Sequence, residues 1–128
     1  MTTHHARGSF EVKTQPISAP DAVPGRLSLD KKFSGDLTAT GKGEMMTAMG
    51  TVKGSAAYVA IEQVSGTLHG RSGGFVLQHA GTMSGGSQQL AITVVPDSGT
   101  GELAGISGRL AINIVEGQHF YEFDYSLG

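Results

Sequence analysis

Residues 70–108 read GRSGGFVLQHAGTMSGGSQQLAITVVPDSGTGELAGISG. Apolar runs of strand length alternate with glycine turns, and no helical period runs through them. That pattern describes antiparallel strands joined by tight turns. Residues 74–84 read as one strand, Gly85-Gly86 as its turn, and residues 88–95 as the next strand. Pro96-Asp97-Ser98-Gly99 closes the second strand, and residues 101–108 form a compact loop with one short helical turn at Leu103-Ala104.

Working outward, Phe10 and Val12 alternate with Ser9, Glu11 and Lys13 in a first strand over residues 8–14. Pro16, Pro20, Pro24 and Gly25 mark the one long irregular connection, placed to cover a barrel mouth. Leu27, Leu29, Lys31 and Phe33 alternate again, followed by long strands over residues 37–49 and 56–68. Residues 109–115 and 119–126 finish as a hairpin around Glu116-Gly117. Eight strands with short links predict an all-β chain: a single eight-stranded antiparallel β-barrel in one domain, residues 1–128. A two-sheet sandwich is the alternative.

The chain has 128 residues, 20 of them glycine and 4 proline. Glycines spread among apolar residues suit strands that bend and turn, not a disordered tract. The formal charge is -2, and Lys31-Lys32 is the one adjacent basic pair, so neither nucleic acid nor an anionic membrane is expected as a partner. Without cysteine there is no disulfide, thiolate nucleophile or zinc-thiolate site. The opening MTTHHARGSF lacks an apolar signal core. No apolar run reaches the roughly 18 residues of a membrane helix, so a cytoplasmic location is expected.

Three blocks carry a resemblance: residues 8–14 (GSFEVKT), 66–83 (GTLHGRSGGFVLQHAGTM) and 94–108 (VVPDSGTGELAGISG). Together they resemble the DUF3224 family of small bacterial proteins, with a resemblance that spans nearly the whole chain. That family is similar to the allene oxide cyclase-like barrels, which include the dirigent proteins and share a G-x-G-x-F-x-G-x-x-G segment like residues 99–108. The resemblance implies an allene oxide cyclase-like eight-stranded barrel and a homo-oligomer, dimer or trimer. It implies no activity. The chain departs from the family pattern at Gln15, where a tryptophan is expected.

Several side chains are candidates for chemistry. Glu62 shares a strand face with Tyr58, Ala60 and Val64, and a carboxylate there suits a general acid or base lining a lumen. His79 shares a face with Phe75, Leu77 and Met83; such a histidine is most often a hydrogen-bonded core group, and otherwise a proton-transfer residue. His119, Tyr121, Phe123 and Tyr125 form one face of the last strand, an aromatic row for core or subunit packing in which Tyr121 can offer a hydroxyl to a ligand. The candidates are therefore Glu62 and His79 for catalysis, and Tyr58, Glu62, His79 and Tyr121 for ligand binding.

Other signals are bland. Gly99-Thr-Gly101-Glu-Leu-Ala104 matches a dinucleotide fingerprint in form, but Gly105 and Gly108 oppose the helix that must follow. His69, His79 and His119 lack metal-ligand spacing, so neither a metal nor a cofactor is expected. Met45, Met46 and Met49 read as core or as apolar ligand walls. Three functions follow from these residues: a barrel binding a small apolar or amphipathic molecule, a cyclase or isomerase using a lumenal Glu or His, and a structural module whose barrel is filled by side chains such as Met45, Phe75, Leu77 and Phe123.

Overall fold

A computed structural model describes residues 2–128. Its long strands are β1 (His4–Pro16), β2 (Gly25–Gly35), β3 (Leu37–Met49), β4 (Ala56–Leu68), β5 (Arg71–Ser84), β6 (Ser87–Val94), β8 (Ile106–Val115) and β9 (Gln118–Leu127); β7 (Thr100–Gly101) is a two-residue piece. The order β4-β3-β2-β1-β9-β8-β6-β5, with β4 also paired to β5, closes an eight-stranded antiparallel barrel. Each long strand pairs with the long strands before and after it, and β1 with β9 joins the two ends, so this is an up-and-down barrel and not a sandwich. Closure through β1 explains why that strand starts at His4, earlier than its alternation suggests: His4 and His5 pair with Tyr125 and Asp124. Among the described residues no helix is long and apolar enough to cross a membrane.

The turns fix the register. His69-Gly70, Gly85-Gly86 and Glu116-Gly117 are two-residue links in which both residues have positive φ. This is the signature of turns whose twist matches that of a hairpin. Register then decides faces, because successive side chains alternate. The face carrying Phe75, Leu77 and His79 points inward, and so does the face carrying Ala60, Glu62 and Val64.

One half of the barrel is filled. Phe75 stacks on Phe123 at 5.5 Å, Phe123 on Tyr125 at 5.3 Å, and Phe33 meets Tyr121 edge-on at 5.7 Å. Leu103 plugs this end and is almost fully buried. The short helical turn expected at Leu103-Ala104 is instead a chain of tight turns: Leu103, Ala104 and Ile106 N–H donate to the carbonyls of Thr100, Gly101 and Leu103. Positive φ at Gly101 and Gly105 prevents the backbone from settling into a helix.

The seam between β6 and β8 is short. Only Ile92 with Leu110 and Thr93 with Arg109 pair across it. Towards the opposite end of the barrel the two strands part. That end also carries the long 17–24 connection, none of whose residues borders the cavity there.

Tyr121 secures the filled end. Its hydroxyl accepts a bond from the Leu37 N–H at 2.8 Å and donates to the Ser34 carbonyl at 2.9 Å, pinning the β2–β3 turn. Tyr121→Phe leaves the buried Leu37 N–H without that partner and should lower stability by about 1–3 kcal/mol in urea unfolding. An unchanged midpoint would show that the turn is held by other contacts.

Candidate functional site

The other half of the barrel is open. It holds a cavity of about 630 Å³, within the range of small-molecule sites. Apolar wall comes from Phe10 and Val12 on β1, Leu29 on β2, Met45 on β3 and Ile112 on β8. Gln88, Leu90, Asn113 and Ile114 border it where β6 and β8 part. The interior is thus half filled: Phe75, Leu77 and Phe123 are core, whereas Met45 lines the space.

An ionic cluster lies between the two halves. Glu62 on β4 is fully buried, yet it is a carboxylate. Its Oε1 accepts from Lys31 Nζ at 3.1 Å and from His79 Nε2 at 3.0 Å. Lys31 and His79 are themselves only 5% and 3% exposed. Lys31 Nζ also stands over the Phe10 and Phe33 rings, 4.9 and 5.7 Å from their centroids, where the ring faces favour a cation. A buried charge needs partners of this kind, since water is not there to solvate it.

Gly41 makes the cluster possible. A Cβ at this position would overlap the Glu62 carboxylate and come within 3.1 Å of Phe33 Cε2. The absent side chain is the space that Glu62 occupies. Glu62 Oε2, facing that backbone, has no hydrogen-bond partner among the described residues.

Burial alone would raise the Glu62 pKa. The His79 bond and the Lys31 charge outweigh it and bring the carboxyl below its ordinary 4.5. Glu62 is therefore ionised at neutral pH, and His79 Nε2 carries the hydrogen it donates. Tyr58 stands beside His79, ring centroids 6.3 Å apart, and its hydroxyl pKa is raised by burial and by the Glu62 charge.

The sequence candidates separate on this map. Tyr58 and His79 border the cavity. Glu62 lies behind that lining and reaches the cavity only through Lys31 and His79. Tyr121 lies in the filled half, its hydroxyl committed to Ser34 and Leu37. His69 sits on the turn at the filled end, far along the barrel from His79, while His119 borders the cavity. Among the described residues no group of three or more His, Cys, Asp or Glu is placed to hold a metal ion.

Lys31 and Gly41 were not among the sequence candidates. The signal for Lys31 was present: it occupies the apolar phase of Leu27, Leu29 and Phe33, where a surface lysine does not belong. Gly41 shows its purpose only once it is paired with Val64 on β4, beside Glu62.

A family model described as "Protein of unknown function (DUF3224)" matches residues 6–125. A crystal structure of a DUF3224-family protein of unknown function from Shewanella oneidensis MR-1 superposes with a TM-score of 0.93. That protein is 51% identical, and the alignment covers 99% of this chain and 98% of the other. No curated protein matches the chain.

The depressed Glu62 pKa has a consequence for stability. The carboxylate contributes stability that is present above its unfolded value near 4.5 and is lost as pH falls through the lower folded value. Urea unfolding across a pH series should show stability declining below about pH 4.5, more gently in Glu62→Gln. At neutral pH the same variant should be about 3–5 kcal/mol less stable, because Lys31 is left buried without its counter-charge. An identical acid slope in both proteins would assign the titration to other carboxylates.

Proposed function

The chain belongs to the DUF3224 family, and from that membership, which brings fold but no activity, we propose that it binds a small apolar or amphipathic molecule in the open half of its barrel. The observation that carries this reading is the cavity itself, about 630 Å³ with an apolar wall and Lys31 as the one fixed charge in its lining. Such a site buries an apolar body and orients one polar end, the usual division of labour in small-molecule pockets. The parted β6–β8 seam supplies an entrance. An allene oxide cyclase-like kinship and self-association belong to the same reading. Self-association is supported by the exposed Met46, Val59 and Ile61 on the outer face.

A second reading, a cyclase or isomerase, is favoured by one feature: His79 borders the cavity while a buried carboxylate fixes its ring. Glu62 is then a positioning residue and His79 the group that moves a proton. A ligand recovered from the native protein should be converted by wild type and roughly 10²–10⁴-fold more slowly by Glu62→Gln. Recovery of the same unconverted compound after incubation with wild type rejects this reading and leaves the binding one.

Binding is tested with a neutral naphthylamine fluorophore. It should bind wild type saturably with a blue shift, and Met45→Trp, which fills the wall, should weaken it about tenfold or more. Thermal unfolding of the variant should stay close to that of wild type. Equal binding by both proteins would place the dye elsewhere and remove the support for this cavity.

A further inference from the structure

The basic and acidic side chains around the cavity are one-sided. Lys31, His79 and His119 border it, and none of its bordering residues is Asp or Glu. The chain as a whole carries a formal charge of -2, so this wall runs against the average. Its other polar groups, among them Tyr58, Thr14 and Gln88, are neutral. Glu62, the one carboxylate near the floor, is screened from the space by the lysine and imidazole that bind its Oε1.

Lys31 uses one N–H on Glu62, and an ammonium has three donors. Aromatic faces of Phe10 and Phe33 attract its charge but accept no conventional bond. His79 uses Nε2 on Glu62, and its Nδ1 has no protein partner among the described residues. A cation with spare donors and an imidazole with a free nitrogen therefore meet at the bottom of an apolar cavity.

We infer that the head group received at this floor is a single carboxylate, so that the ligand class is an organic monoacid with an apolar body. This inference rests on the binding reading above and narrows it. Lys31 is already balanced by Glu62, but its spare donors can serve a second carboxylate, which accepts from Lys31 at one oxygen while the other faces His79. Charge balance in the buried floor is kept when the acid arrives with its proton. That proton passes from the carboxyl O–H to His79 Nδ1. The resulting carboxylate then lies between the Lys31 ammonium and the His79 imidazolium, with Glu62 still ionised behind them. Binding the acid together with its proton therefore leaves the net charge of the floor unchanged. An amine head would instead set a second cation against Lys31 with no carboxylate in the wall to receive it.

The test is competition against the neutral naphthylamine fluorophore by three ligands of equal chain length: decanoate, decanol and decylamine. Decanoate should displace the dye at a concentration about tenfold or more below that of decanol, and decylamine should do no better than decanol. In Lys31→Met/Glu62→Gln, which removes both charges and leaves neither partner unpaired, acid and alcohol should compete equally. Equal competition in wild type, or a preference for the amine, overturns the monoacid inference while leaving the cavity reading intact. A full acid preference surviving in the double variant overturns it as well, because the floor would not be its source. If the dye itself does not bind, the cavity reading fails, and the monoacid inference with it.

Discussion

The structure depends on the burial of one carboxylate. Glu62 is enclosed in the barrel, and its Oε1 holds both Lys31 and His79. The three come from β4, β2 and β5, so their contact fixes three strands at one level. Gly41 on β3, between β2 and β4 in the sheet, yields the volume that the carboxylate needs. Four neighbouring strands thus contribute one ligand each, or one absence, to a single polar site. Removing one member leaves another buried and uncompensated, which is why such clusters fail abruptly when a single partner is lost.

That level divides the interior. An eight-stranded barrel is just wide enough for its own side chains to fill. Here the aromatic residues of β9 and β5, with Leu103 from the loop, complete the filling on one side of the cluster. On the other side β6 and β8 stop pairing after two residue pairs, and the wall no longer closes on itself. The open space therefore comes from incomplete closure at one seam, above the polar cluster. The filled half supplies the rigidity that holds the floor in place.

Much of this was legible in the chain. Glycine pairs and the alternation between them mark the hairpins, and those turns set which face of each strand points inward. Glu62 and His79 stood out because they interrupt apolar faces. Their mutual contact was not legible, since residue 62 meets residue 79 only through the β4–β5 register, two strand positions apart. Lys31 was hidden by its neighbour: Lys31-Lys32 reads as a surface pair, although alternation sends one lysine inward and the other out. Tyr121 was misleading for the opposite reason. A tyrosine in an aromatic row can serve a ligand or a turn, and only the three-dimensional position of the Gly35–Leu37 turn decides for the turn.

The cluster is a poor device for stability alone. Well-packed apolar residues at a buried ion pair's positions are often as stabilising or better, by about 1–4 kcal/mol. A barrel that needed only to stay folded would be served by side chains like those of its filled half. The charges stand instead where packing ends and open space begins, and each of the two groups facing that space keeps unused bonding capacity. Glu62 is withdrawn behind them, where it can hold a cation and orient an imidazole without presenting its own charge to the cavity. The electrostatic cost of the core is thus met by partners drawn from three strands, and it is the lysine and the imidazole, not the carboxylate, that border the open space.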